Sequence, residues 1–168
     1  MSFAYSTTIT VPSGVMEIQE ISMDDTILAS AIYPVEKIFW NPEVVSYSAG
    51  CVISSECPMI FMVFSDDQER QIICSTDQVF MLTNGKLIRA EELKPGDSLA
   101  NRDARPVMLN TVSEGLYNGG IRDIAVEPGY SQEGSLILAN GVIVGDYSLQ
   151  LRFDQLPDNL KVGKSGCR

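Results

Sequence analysis

The feature that most constrains this chain is a phrase it writes twice. Residues 11–29 read VPSGVMEIQEISMDDTILA and residues 82–100 read LTNGKLIRAEELKPGDSLA. Gly14 aligns with Gly85. After a one-residue offset, Glu20 aligns with Glu92, Ile21 with Leu93, Asp25 with Asp97 and Ile27 with Leu99. Each copy offers a Gly-bearing turn, a short strand, an acidic–hydrophobic step, an acidic turn and another strand. In the second copy Lys94-Pro95-Gly96-Asp97 has what a tight turn needs: proline presets φ and glycine accepts a positive φ. Two such units can bury their apolar faces against each other, so one pseudo-symmetric core is expected rather than two domains.

The rest of the chain alternates strand and turn. Strands are expected at Thr7–Val11, Thr26–Tyr33, Glu36–Trp40, Val44–Val52, Met59–Ser65, Arg70–Cys74, Val79–Leu82, Leu87–Ile88, Ser98–Ala100, Pro106–Val112, Gly120–Val126, Ser135–Leu138 and Val142–Leu149. β-Branched and aromatic residues dominate them, and Pro12-Ser13-Gly14, Thr83-Asn84-Gly85, Asn118-Gly119-Gly120 and Asn140-Gly141 punctuate them. Only Gln19–Ser22 and Ala90–Leu93 read as helical, about one turn each, and no ordinary amphipathic helix is present. The expected class is all-β. From Phe153 onward the sequence turns polar, with Pro157 and Gly163, and reads as a poorly packed extension over 151–168.

Composition excludes several functions. At 168 residues, with 45% hydrophobic content, the chain can bury one real core. A net charge of −10 argues against a nucleic-acid or anionic-membrane surface. No apolar run is long enough to span a bilayer, and the N-terminus lacks the pattern of a signal peptide. Cys51, Cys57, Cys74 and Cys167 form no CxxC pair, so structural zinc is unsupported and free or buried thiols are expected. There is no histidine. A Ser-His-Asp triad, a Cys-His dyad and a His-bearing metal site are therefore ruled out. No cofactor and no metal are implied.

Several phrases acquire meaning as a series: IQEISMDDTILAS early, CSTDQVFMLTNGKLIRAEELKPGDSLA in the middle, then IRDIAVE and SLILANGVIVGDY near the end. Together they resemble the Hint superfamily, the fold shared by inteins, hedgehog-type autoprocessing domains and bacterial intein-like domains. The most specific part is G-x-(apolar)-x-x-A-E-x-L-x-x-G-D at Gly85–Asp97, and the resemblance covers residues 2–150. It implies a flat, horseshoe-like all-β module with an internal two-fold, whose matching arms would be the two phrases. It also implies chemistry on the protein's own backbone. A first Cys or Ser attacks the preceding carbonyl, a Thr-x-x-His motif activates that amide, and in inteins a terminal His-Asn releases the other end.

Carried over by position, the resemblance puts Ser2 at the nucleophile, Ser75 and Gln78 in the Thr-x-x-His motif (here Ser75-Thr76-Asp77-Gln78), Asp123 at an assisting aspartate, and Gly145-Asp146 at the terminal His-Asn. A serine hydroxyl is a weaker nucleophile than a thiolate. Gln78 can donate a hydrogen bond but cannot carry a proton across the reaction. Asp146 lacks the amide nitrogen that closes a succinimide, and Tyr147 is a poor acyl acceptor, so splicing is not expected. Only Met1 precedes Ser2. Two origins follow: a domain excised from a longer precursor, whose flanking segments would be its partners, or a natural degenerate member. The function implied is an autoprocessing module, impaired or inactive in this form. The competing reading is a non-catalytic β module that binds a partner or links other segments.

Overall fold

A computed structural model describes residues 2–32, 37–53, 55–127 and 134–163. Met1, Tyr33, Glu36 and Cys167 lie outside the described residues, as do the parts of the expected strands and extension that fall on 33–36 and 164–168. Among the described residues the strands are β1 (Phe3–Ala4), β2 (Thr8–Val11), β3 (Gly14–Glu17), β4 (Thr26–Ser30), β5 (Asn41–Val52), β6 (Cys57–Ser65), β7 (Glu69–Cys74), β8 (Val79–Met81), β9 (Leu87–Arg89), β10 (Ser98–Ala100), β11 (Pro106–Tyr117), β12 (Gly120–Val126), β13 (Leu136–Ala139) and β14 (Val142–Gly145). One short helix, α1 (Tyr147–Arg152), follows β14. Every strand pairing is antiparallel, in the order β10-β11-β6-β7-β1-β12-β5-β4-β13-β14-β8-β9, with β2 joining β13 and β3.

The two sequence phrases take the same succession of elements. Strands β2 and β3 run into a single 3-10 turn at Ile18–Glu20 and then β4; β8 and β9 run into a 3-10 turn at Ala90–Glu92 and then β10. Apolar residues at the aligned positions are buried in both: Ile21 and Leu93, Ile27 and Leu99. The main core joins these arms with Phe64, Ile72, Phe80 and Val144. Burial of this many full aliphatic side chains, at about 1.5–3 kcal/mol each, is what offsets the ordering of so many short strands.

The hairpin β13–β14 sits between the arms. Ile9 of β2 and Ala29 of β4 pair with β13, while Phe80 of β8 pairs with β14. At the other junction Phe3 of β1 pairs directly with Cys74 of β7. This pairing draws the N-terminus into the middle of the molecule.

Three sequence expectations need correction. Lys37–Trp40 is not strand, since the chain there turns between β4 and β5. The strand expected over Val142–Leu149 stops at Gly145 because Asp146 caps a helix: its side chain accepts the Leu149 N–H, satisfying a donor the first turn leaves free. The stretch from Phe153 is anchored at particular residues rather than loosely attached, although most of its other side chains are exposed. Phe153 and Leu156 are buried with Val79, Leu138 and Leu149, and the Val162 N–H donates to the Leu87 carbonyl.

Candidate functional site

Ser2 is held from both sides. Its N–H donates to Ser75 Oγ at 2.8 Å, and the Ser75 N–H donates back to the Ser2 carbonyl at 2.8 Å. Its hydroxyl donates to Asp123 Oδ2 at 3.2 Å. Ser75 Oγ in turn donates to Asp77 Oδ1 at 2.8 Å. The positioning follows from the β1–β7 and β1–β12 pairings, which set Phe3 opposite Cys74 and Arg122 and so bring Ser2 beside Ser75 and Asp123. Ser2 and Ser75 are buried, at 5% and 9% exposure, so their hydrogen bonds meet little competition from water.

Burial pushes the Asp123 carboxyl up to about 6, against the charge of the N-terminal ammonium and the hydrogen bond from Ser2, which pull it down; Asp77 raises it further. A carboxyl poised there can accept a proton near neutral pH, which an ordinary aspartate does poorly. Cys74, next in the chain to Ser75, is a free thiol but fully buried, and burial pushes its ionisation far up. It is no alternative nucleophile.

Gln78 and Asp146 form a second cluster. The Gln78 N–H closes a turn on the Ser75 carbonyl at 3.2 Å, but its side chain points elsewhere. Nε2 donates to the carbonyls of Gly145 at 2.9 Å and Val79 at 3.3 Å, and Oε1 accepts Gln150 Nε2 at 2.7 Å. Both amide protons are engaged away from Ser2. The Asp146 carboxylate accepts N–H groups from Val126, Ser135 and Leu149. Burial pushes it up to about 6, against those backbone donors. Its oxygens tie β12, the start of β13 and α1 together, which is a structural task.

Of the five residues singled out in the sequence, Ser2, Ser75 and Asp123 meet by direct hydrogen bonds. Gln78 reaches Gly145, and Asp146 is bonded to neither Ser2 nor Gln78. Sequence reasoning passed over Asp77 and Gln150. The Ser-x-Asp spacing inside STDQ is a local signal for the first. Nothing local marks the second, whose contact spans 72 residues. Beside Asp123, Tyr47 stacks on Tyr147 with ring centroids 4.8 Å apart. Tyr47 ionisation is pushed up by burial, Tyr147 and Asp123. A groove over the Phe153 ring, lined by Arg89, Asp154 and Lys161, includes none of the five. Among the described residues no group of His, Cys, Asp and Glu could hold a metal ion, and no helix is long and apolar enough to cross a membrane.

The sequence matches no family model and no curated protein. Solved structures are a different matter. A bacterial intein-like domain from Clostridium thermocellum superposes with a TM-score of 0.71 at 15% identity, covering 86% of this chain and 98% of that one. A DnaB intein from Synechocystis sp. PCC 6803 gives 0.64 at 16% identity, with 86% and 97% covered. The gp41-1 intein gives 0.61 at 18% identity, with 85% and 96% covered. The mostly antiparallel β architecture is thus the Hint fold, shared with inteins and a bacterial intein-like domain.

Proposed function

We propose that this protein is a Hint-type autoprocessing module that performs an N-terminal acyl shift at Ser2, slowly, and does not splice. The observation that carries this reading is the double hold on Ser2: its hydroxyl on Asp123 and its amide on Ser75. In the shift, Ser2 Oγ attacks the carbonyl carbon of the residue before it while Asp123 takes the hydroxyl proton. The C–N bond then breaks, the Ser2 nitrogen gains a proton, and an ester replaces the amide. Water or hydroxylamine opens that ester and frees the upstream segment, leaving Ser2 with its hydroxyl.

Two features support impairment. Serine is a weaker nucleophile than a thiolate. The glutamine at the histidine position is bound to the Gly145 carbonyl and cannot act as an acid. The back end supports a lack of splicing: Asp146 has no nucleophilic amide, and its carboxylate is occupied as a helix cap. The upstream polypeptide, in a longer precursor, would be the module's partner.

The test is a fusion of a reporter domain ahead of Ser2, scored by the cleaved fraction on a denaturing gel with and without hydroxylamine. The unmodified chain should cleave slowly, Ser2→Cys should cleave faster, and Ser2→Ala should not cleave. A folded Ser2→Cys fusion that stays intact in hydroxylamine overturns the reading, and rapid cleavage by the unmodified chain overturns the impairment.

A further inference from the structure

The acyl shift needs two proton movements, and a chain without histidine must supply both from other groups. One is visible at the hydroxyl, where Asp123 accepts from Ser2. The other is at the nitrogen, which must be protonated as the C–N bond breaks. An amine anion is an impossible leaving group, so without that proton the tetrahedral intermediate falls back to amide. The side chain at the histidine position is engaged elsewhere, since both Gln78 amide protons are on the carbonyls of Gly145 and Val79. The group that touches the Ser2 nitrogen is the Ser75 hydroxyl, and behind it stands Asp77.

Resting on the autoprocessing reading above, we propose that Ser75 and Asp77 form a proton relay to the Ser2 nitrogen, so that two carboxylates bracket Ser2 and together replace a histidine. The relay runs from the arrangement in which Asp77 holds a proton and Asp123 is ionised. As Ser2 Oγ bonds to the carbonyl carbon, its proton passes to Asp123. As the C–N bond breaks, the Ser75 hydroxyl gives its proton to the nitrogen and takes the Asp77 proton in its place. The cycle ends with Asp77 ionised, Asp123 protonated, Ser75 neutral, and an ester with a free amine. No proton is gained or lost overall.

The resting hydrogen bonds fit this assignment. A hydroxyl is a donor and an acceptor at once. Ser75 accepts from the planar Ser2 amide and donates to Asp77; when the nitrogen becomes tetrahedral and presents a lone pair, the same two bonds reverse direction. Asp77 lies near enough to Asp123 for its charge to help raise the Asp123 carboxyl, so the two carboxyl groups stand on either side of Ser2 within reach of each other's field. Ser75 touches a reacting atom and is a catalytic residue; Asp77 acts through it and is a positioning residue with a proton to give.

The experiment uses the reporter fusion with Ser2→Cys as parent and follows cleavage against hydroxylamine concentration. At saturation, every thioester is captured as it forms, and the plateau reports the rate of the shift. At low concentration, the slope reports the amide–thioester equilibrium times capture. A relay speeds both directions and leaves that equilibrium alone. Asp77→Asn should therefore lower the plateau about 10²-fold, the lower end for general acid–base help, and leave the initial slope unchanged. Asp77→Glu should restore most of the plateau. Ser75→Ala should lower it as far as Asp77→Asn, and the pair together no further, because both sit on one path. An unchanged plateau in Asp77→Asn overturns the relay alone, as does a slope that falls in step with the plateau, which signals a distorted site. A parent that never cleaves overturns the autoprocessing reading and the relay with it.

Discussion

The turn Ala4–Thr7 and the turn Ser75–Gln78 are built alike and used differently. In each, the fourth residue's N–H closes on the first residue's carbonyl: Thr7 on Ala4 at 3.3 Å, Gln78 on Ser75 at 3.2 Å. In each, the fourth carbonyl then accepts the first N–H of the 3-10 turn, from Ile18 and from Ala90, both at 2.8 Å. The agreement continues downstream. Asp25 Oδ2 accepts the Ser22 N–H as Asp97 Oδ2 accepts that of Lys94. Val45 brackets the first acidic turn as Leu109 brackets the second. What differs is the side chains. The first turn carries an alanine methyl where the second carries the Ser75 hydroxyl, and Thr7 Oγ1 bonds back to its own turn at 2.8 Å where Gln78 reaches across to Gly145. One backbone device therefore carries two different sets of side chains, and on the proposed reading any chemistry comes from those side chains rather than from the turn.

The largest expected effect breaks this comparison most directly. Ser75→Ala makes the second turn resemble the first and should slow ester formation by at least about 10²-fold, read as the hydroxylamine cleavage rate of the fusion. Thr7→Ala removes only the local bond to Ala4 and should leave that rate unchanged while costing about 1 kcal/mol of stability. Equal rate losses from the two variants would make both turns structural and leave Ser75 no special role.

The same contrast shows what could be read from sequence. The strands were legible because β-branched runs are broken by Asn-Gly and Pro-Gly turns, and Ser98–Ala100 and Gly120–Val126 fall where the pattern sets them. The Ser2–Ser75–Asp123 meeting followed from aligned motifs. The helix at Tyr147 was not legible: VIVGDYSL reads as one apolar strand, and only the capping contact of Asp146 ends it. The Gln78–Gln150 bond was not legible either, because no spacing rule links residues in different elements. The same long-range packing hid the burial of Phe153 and Leu156, whose neighbours in sequence are polar.

Gln78→Leu should be the largest stability change. It leaves the Gly145 carbonyl and Gln150 Nε2 without their partner in a buried site, at about 3 kcal/mol for the two. Thr7→Val in the other arm should cost about 1 kcal/mol, the value of a single local bond. Urea denaturation measures both, and a similar cost for the two would mean that Gln78 is no more than a local cap.

Acidity sharpens the difference between the site and its scaffold counterpart, because the site alone contains Asp123. The folded carboxyl titrates at about 6, against 3.8 for an unperturbed group. Its protonated form thus adds stability that is full below 3.8 and lost as pH rises through about 6. The loss is on the order of 2 kcal/mol after allowing for partial solvent access. Over that interval the base form appears, so cleavage should climb about tenfold per pH unit, stop climbing near pH 6, and fall at higher pH as the pair loses the proton the relay draws on. Asp123→Asn should remove the climb in cleavage and reduce the stability trend, leaving the share that Asp146 contributes over the same range. A cleavage rate flat below pH 6 would take the base role away from Asp123.

The smallest effect lies where the arms agree in shape and differ in residue. The acidic turns place Asp24 at φ 73° where the second arm has Gly96 at φ 93°. Aspartate tolerates the left-handed region better than most residues, and its φ is near the centre of that well. Glycine at this position would relieve little strain and would enlarge the unfolded ensemble. Asp24→Gly should therefore change stability by less than about 0.5 kcal/mol. The reverse change is not equivalent. A side chain at Gly96 meets no atom within 4 Å, so the cost is purely one of backbone, and φ 93° lies outside the well that an L-residue accepts. Gly96→Asp should destabilise by about 1 kcal/mol, seen as a lower urea midpoint with an unchanged slope. Equal small effects at both positions would mean the second turn relaxes toward the geometry of the first, and that the two arms share a backbone more closely than their φ angles indicate.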